Sequence, residues 1–293
     1  MTFGYVAFIG RPNAGKSTLL NRIAGRKVAI VSDKPQTTRT RITAVKNYPE
    51  AQVVFVDTPG IHKPDHRMNV RMVDMALEAM REVDLLCLIV DVSAPPGAGD
   101  RYLLELLKAV ATPAILALNK VDLVAKPTLL PLIDAYRREG RFVEIVPLSA
   151  IDGTNVDLLQ SLLVQHLPEG EPMFPAEHVS DQPERFVVAE LVREQVLQLT
   201  HAELPFSTAV VVDRFEQDEG VVRVYCTIFV ERQSQKPIVV GRGGAMIKKI
   251  GTAARAELGR YLESRIYLDL HVKVKSEWRD DERVLDEMGI RRE

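Results

Sequence analysis

The feature that most constrains this chain is the octapeptide Gly10-Arg11-Pro12-Asn13-Ala14-Gly15-Lys16-Ser17, which fits G-x-x-x-x-G-K-[ST]. It sits between an apolar, β-branched run, Tyr5–Ile9, and a segment with helical spacing, Lys16–Ala24. Glycines let successive backbone N–H groups turn inward around a phosphate, and the positive end of the following helix adds to that field. A strand, a glycine turn and a helix in this order belong to open, mainly parallel sheets with helices on both faces. The octapeptide therefore predicts an α/β domain that holds phosphate. In this reading Arg11, Pro12, Asn13, Ala14, Gly15 and Thr18 line the phosphates, Lys16 reaches the β- and γ-phosphates, and Ser17 ligates magnesium.

Further apolar segments at Ile42–Lys46, Val53–Val56, Leu85–Val90, Ala114–Leu118 and Phe142–Pro147 read as strands. Segments with helical spacing fall between most of them, at Val70–Val83, Arg101–Ala109, Leu129–Glu139 and Val156–His166. At 293 residues the chain exceeds a typical domain of ~100–200 residues, so two domains are expected. Residues 168–184 are rich in proline, glycine and acid, match neither period and read as a linker between a domain at 1–167 and one at 185–293. Beyond it the pattern runs helix (Phe186–Thr200), strand (Thr208–Phe215), strand (Val221–Val230), helix (Ala245–Leu258), a further short helix, and strand (Ile266–Val274). That order, α-β-β-α-α-β, predicts a smaller α+β domain.

A phosphate loop does not choose a base, but Asn119-Lys120-Val121-Asp122, closing the strand Ala114–Leu118, does. A carboxylate such as Asp122 accepts from the guanine N1–H and amino group together, which adenine cannot offer. Asn119 can bond N7 and the loop, and the Lys120 stem covers the ring. Ser149-Ala150-Ile151 follows the next strand, where a backbone N–H can meet the guanine O6. Asp57-Thr58-Pro59-Gly60 ends the strand Val53–Val56, at the carboxyl edge where ligands bind in such sheets. Asp57 is expected to hold magnesium through water, and Gly60 to offer an N–H to the γ-phosphate. The polar run Pro35-Gln36-Thr37-Thr38-Arg39-Thr40 reads as a mobile switch, with Thr38, or Thr37 in its place, completing the magnesium shell. The contacts made in the transition state fall to Lys16, Thr38 and Gly60. No catalytic base is assigned.

Composition narrows the alternatives. An apolar fraction of 46% with 27% charged residues is that of a soluble globular protein, and a net charge of −2 hints at neither nucleic acid nor membrane. Cys87 and Cys226 lie in apolar runs far apart, without ligand spacing, and read as buried strand thiols. No apolar run reaches the ~18 residues of a membrane span and no leader or lipidation motif appears, so the expected location is cytoplasmic, with peripheral contact to the inner face of the cell membrane left open. Local charge is another matter. Residues 236–279 hold ten Lys or Arg against four acids, and within them Gly241-Arg242-Gly243-Gly244 precedes a helix. Such a G-x-x-G loop lets a sugar-phosphate chain approach the main chain, so Gly241, Arg242, Gly243, Gly244, Ala245, Met246, Lys248 and Lys249 are the expected contacts to unpaired nucleotides.

Taken in order, GRPNAGKS, QTTRTR, DTPG, NKVD, SAI and VVGRGGAMIKKIG resemble the translation-factor-type GTPases and, within them, the Era family of small GTPases with a C-terminal KH domain. The resemblance spans nearly the whole chain. It implies a magnesium-dependent GTP hydrolase whose partners are GTP and GDP, the 3′ end of 16S ribosomal RNA and the small ribosomal subunit during its assembly, with no DNA expected. Single-stranded RNA rather than DNA is preferred on the resemblance alone. Ile61 stands where Ras-like relatives place a water-orienting glutamine, so the resemblance implies slow turnover. Asn13 occupies the loop position at which related GTPases bind potassium, which makes it a candidate potassium ligand. The same departures keep alive an alternative, an RNA-binding or chaperone module with a regulatory, barely hydrolysing nucleotide site. Arg71 and Arg81, on the helix after Asp57, read as a solvated face rather than as arginine fingers.

Overall fold

A computed structural model describes the chain apart from residues 35, 62–65, 201–203 and 291–293, so Pro35 of the expected switch and the last three residues of the tail lie outside the described residues. The chain divides into two units. One comprises Met1–Ala29, Thr38–Pro64 and Asn69–Asp181, the other Ile30–Thr37, Asp65–Met68 and Gln182–Glu293.

The first unit is built on β1 (Thr2–Gly10), α1 (Lys16–Ala24), β2 (Ile42–Tyr48), β3 (Ala51–Asp57), α2 (Arg67–Glu82, in this unit from Asn69 on), β4 (Leu85–Asp91), α3 (Ala98–Lys108), β5 (Ala114–Asn119), α4 (Leu129–Glu139), β6 (Phe142–Leu148) and α5 (Val156–Gln165). Its sheet runs β2-β3-β1-β4-β5-β6, with β2 antiparallel to β3 and the remaining pairs parallel. The exception has a local cause: only Pro49 and Glu50 separate β2 from β3, and a parallel pair needs a crossover of a dozen residues or more. Alternate residues of β1 feed two cores. Val6 and Phe8 pack with Leu19, Leu20 and Ile23 of α1 and Leu159 and Leu163 of α5. Ala7 and Ile9 pack with Ala76 and Met80 of α2, Leu103 of α3 and Tyr136 of α4. At about 1.5–3 kcal/mol for each fully buried large aliphatic or phenyl side chain, these layers fix the sheet that carries the motifs.

Two expectations need correction here. Arg71 is 7% exposed and does not stand on a solvated helix face, because the covered stripe of α2 is broad enough to take in Asn69, Met72 and Val73 as well. Arg81 is exposed. Most of the stretch that reads as a linker is fastened to β2 and β3. Val45 N–H donates to Val179 O at 2.8 Å, Ser180 Oγ to Thr43 O at 2.8 Å, and the Gln52 side chain bonds Met173 and Phe174. The outer edge of β2 has ladder groups to satisfy, and a run without periodicity can satisfy them as well as a strand can.

The second unit holds α6 (Glu184–Leu199), α7 (Leu204–Ser207), β7 (Thr208–Asp218), β8 (Val221–Val230), α8 (Lys236–Val240), α9 (Ala245–Tyr261), β9 (Arg265–Val274) and α10 (Glu282–Glu287). β7 pairs antiparallel with β8, and β8 parallel with β9. The parallel pair requires the α8–α9 crossover. The short helix of that crossover precedes the glycine loop, whereas the sequence pattern predicts it after the long one; Pro237 in the first turn of α8 starts it, and α9 runs on to Tyr261 before the turn into β9. Val188, Val192 and Val196 of α6 meet Ile250, Ala254 and Leu258 of α9 over Val224, Cys226 and Ile228 of β8, so Cys226 is a buried strand thiol, as is Cys87 in the core of the first unit.

Residues 30–37 belong to this unit through α6. Ile30 joins its core, Val31 N–H donates to Glu194 Oε1 at 2.9 Å, and Arg193 Nη2 donates to the Thr37 carbonyl. Arg193, 2% exposed, is also paired with both carboxylate oxygens of Glu190, at 2.7 and 2.6 Å. Among the described residues no helix is long and apolar enough to cross a membrane.

Candidate functional site

The phosphate loop links β1 to α1, as the motif predicts. Asn13 and Gly15 both take positive φ, 64° and 99°, which turns the intervening backbone into a cradle. Gly15 is obligatory on two counts, since a Cβ there would also stand 2.2 Å from Asn119 Nδ2. Lys16 Nζ donates to the carbonyls of Gly10 at 3.3 Å and Arg11 at 3.0 Å. Burial pushes its ammonium below the usual lysine range, against the opposing pull of Asp57. A phosphate entering the cradle supplies the counter-charge that this buried cation otherwise takes from carbonyls. Thr18 is half-buried in the first turn of α1. The Arg11 side chain donates to Asp100 Oδ2 at 2.8 Å, which also accepts from Gly97 N–H, so this arginine braces the loop against the start of α3.

Beside the cradle three oxygens converge. Ser17 Oγ lies 2.6 Å from Asp57 Oδ2 and 2.9 Å from Thr38 Oγ1, and Thr38 Oγ1 is 3.4 Å from Asp57 Oδ2. Thr37 instead donates its hydroxyl to Lys34 O. Asp57 is wholly buried; desolvation raises its carboxyl to about 6 against the stabilising effects of Lys16, Ser17 and Thr38. Its Oδ1 is buried with no hydrogen-bond partner among the described residues. An orphaned carboxylate oxygen beside two hydroxyls fits a hard divalent cation with oxygen ligands.

The start of the loop after β3 lies against the phosphate loop. Ile61 N–H donates to Gly10 O at 3.3 Å, and a Cβ on Gly60 would stand 2.7 Å from Pro12 N, so only glycine allows this approach. Ile61 is 1% exposed and packed with Ile9, Val56 and Met80. A side chain held in the core cannot align an attacking water.

At the other end, Asn119 joins the motifs. Its Nδ2 donates to Ala14 O at 2.8 Å and its Oδ1 accepts from Ala150 N–H at 2.9 Å. Lys120, with φ of 71°, ion-pairs with Asp91 at 2.5 Å. Partial burial pushes the Asp91 carboxyl up, but hydrogen bonds from Lys120 and Ser93 outweigh it and hold the group below the ordinary range. Asp122 is exposed, as is Ile151, while Ser149 and Ala150 are buried. Ser149 closes its own loop, accepting from Gly153 N–H at 2.9 Å and, through Oγ, from Asp152 N–H at 3.2 Å. The sequence reading missed Asp91, Asp100 and Arg22. Asp91 had a signal, an acid closing the apolar run LLCLIV just as Asp57 closes its own strand.

In the second unit Gly241, Gly243 and Gly244 all have positive φ and lead into α9, with Gly244 as its N-cap. Arg242, Gly243, Ala245, Lys248 and Lys249 are exposed, whereas Met246 and Ile247 pack against the core. The loop presents backbone and cations together at a helix N-terminus, an arrangement that receives phosphate.

Comparison with known proteins agrees with this geometry. The family described as a 50S ribosome-binding GTPase matches residues 5–120, and the KH domain family matches residues 203–279. GTPase Era of Geobacter metallireducens is 49% identical over 288 residues, covering 98% of this chain and 97% of that protein. The chain belongs to the Era GTPases. It is therefore a GTP hydrolase, with a P-loop α/β domain followed by a KH domain. The Era GTPase of Staphylococcus haemolyticus is 47% identical over 98% of this chain and 96% of its own. A point variant of Aquifex aeolicus Era bound to GDP and aluminium fluoride has a TM-score of 0.95 at 38% identity, and an Era bound to MgGDPNP and nucleotides 1506–1542 of 16S ribosomal RNA one of 0.96 at 38%; both comparisons cover 99% of each chain.

Proposed function

We propose that this Era-family chain is a slow, magnesium-dependent GTPase switch whose KH domain binds single-stranded RNA at the 3′ end of small-subunit ribosomal RNA, in assembly of that subunit in the cytoplasm. The observation that carries the switch is the attachment of residues 30–37 to α6. Thr38 shares the Ser17–Asp57 cluster, and the preceding residue, Thr37, is held by Arg193 of the helix that forms the core of the KH unit. Nucleotide that orders Thr38 therefore acts on a segment already tied to the RNA-binding unit. Magnesium suits Ser17, Thr38 and Asp57; when bound it would neutralise phosphate charge, while Lys16 and the loop N–H groups position the phosphates. The RNA target follows the Era complex that contains 16S ribosomal RNA, and the exposed Arg242, Lys248 and Lys249 support it.

Slow turnover follows from the buried Ile61, with catalysis left to positioning and charge. Asn13, at a positive-φ turn of the loop, is our candidate for a potassium ligand; equal turnover in potassium and sodium at matched ionic strength would remove that role. The switch itself is tested by titrating an oligonucleotide of the 3′ end of 16S ribosomal RNA into protein loaded with a non-hydrolysable GTP analogue or with GDP. Tighter binding in one state is expected, and equal affinities overturn the proposal. The buried Ile61 also favours a second reading, an RNA chaperone with a nearly silent nucleotide site. Multiple-turnover hydrolysis stimulated by the same RNA decides for the enzyme.

A further inference from the structure

Arg22 lies outside every nucleotide motif, in the last turn of α1, yet its side chain reaches the base-reading loop. Its Nε donates to Ala150 O at 2.6 Å and its Nη2 to Ile151 O. The space that a Cβ on Gly153 would need is taken by Arg22 Nη1, 2.8 Å away, so the guanidinium lies against this loop. Ala150 is thus held from both sides, its N–H by Asn119 and its carbonyl by Arg22. Asn119 ties the loop to the start of α1 through Ala14, and Arg22 ties it to the end of the same helix.

We propose that Arg22 is a positioning residue for guanine recognition: by holding the Ala150 carbonyl it sets the tilt of the Ala150–Ile151 peptide, so that the Ile151 N–H of that same peptide meets the 6-oxygen of the base. Charge-assisted bonds from one planar group to two consecutive carbonyls fix that stretch of backbone better than a single neutral bond, and an amide contributes to recognition only when it is aimed before the ligand arrives. Through α1, the same arginine couples the base loop to the helix that carries Lys16 and Ser17. The inference rests on the reading that the 149–151 loop contacts the 6-oxygen.

The test uses the full chain and two nucleotides, GTP and 6-thio-GTP, which differ only in the acceptor at position 6. A wild-type preference for GTP supports the loop reading, and equal wild-type affinities would remove that reading whatever Arg22 does. Arg22→Met keeps much of the stem and loses both donors. We expect about a tenfold loss of GTP affinity, as for a pair of partly exposed charge-assisted bonds, with 6-thio-GTP weakened less than twofold. Arg22→Lys, able to reach one carbonyl, should recover part of the loss and keeps the test usable if the methionine variant folds poorly. Unchanged GTP affinity, or equal weakening toward both nucleotides, overturns the proposal.

Discussion

Arg193 donates to the carbonyl of Thr37, one residue before the threonine that stands with Ser17 and Asp57. Replacing Arg193 with Met should cost about 3 kcal/mol, because the Glu190 carboxylate is left in a largely covered site without its cation. Denaturant unfolding checks the loss. The double variant Glu190→Gln/Arg193→Met should regain most of that stability, yet neither variant should retain a GTP-dependent difference in RNA affinity. Retention of the difference by the double variant would uncouple α6 from the switch.

Asn119→Ala removes the partners of Ala14 O and Ala150 N–H together. With both groups buried, GTP and GDP affinity should fall about a hundredfold, measured by fluorescent nucleotide titration. An effect below threefold would mean that the two loops hold their positions without this side chain.

The Asp57 carboxyl, raised to about 6 from 3.8, gives a pH dependence of definite sign. Between about pH 4 and 6 the folded, ligand-free protein holds a proton on Asp57 that the unfolded chain has released, so stability falls as pH rises through that window. Magnesium requires the ionised form, so metal-dependent nucleotide binding should weaken as pH drops through 6. Asp57→Asn should flatten the first profile, read as Tm against pH, and abolish the metal dependence of the second.

Ile61→Gln introduces the glutamine of the Ras-like pattern but places an amide in a packed core. The expected cost is about 1–3 kcal/mol of stability, with hydrolysis rising less than twofold in single-turnover assays. A large acceleration would show that this segment leaves the core when nucleotide binds.

Lys248→Ala/Lys249→Ala should weaken binding of single-stranded RNA regardless of sequence. If each lysine displaces one counterion, the slope of log affinity against log salt should flatten by about 1.4, at roughly 0.7 per phosphate contact. An unchanged slope would place the RNA elsewhere.

Much of the fold and of the arrangement of the candidate nucleotide site was legible in the sequence because its motifs are local. Gly10–Ser17, Asp57–Gly60 and Asn119–Asp122 each follow a strand, and the sheet brings its carboxyl ends to one edge. The supports were illegible for the opposite reason. Arg22 meets a loop 128 residues on, and Glu194 meets Val31 across 163 residues. Glu194 reads as ordinary helix surface until tertiary packing covers it, and Arg22 stays on the surface, so only the folded contact with the distant loop sets it apart. Arg71 misled in the same way, since the width of a buried helix face depends on what packs there and not on the helix's own pattern.

The strip 173–180 along β2 and β3 bears on how this protein can be cut. A fragment ending at 167, where the sequence pattern places the domain end, would strip the outer edge of β2 of the bond from Val45 to Val179 and leave Gln52 without Met173 and Phe174. Bare edge strands recruit one another, so that fragment should self-associate and be trimmed readily by proteases. Ending at 181 keeps the edge capped, and the isolated nucleotide domain should then stay monodisperse.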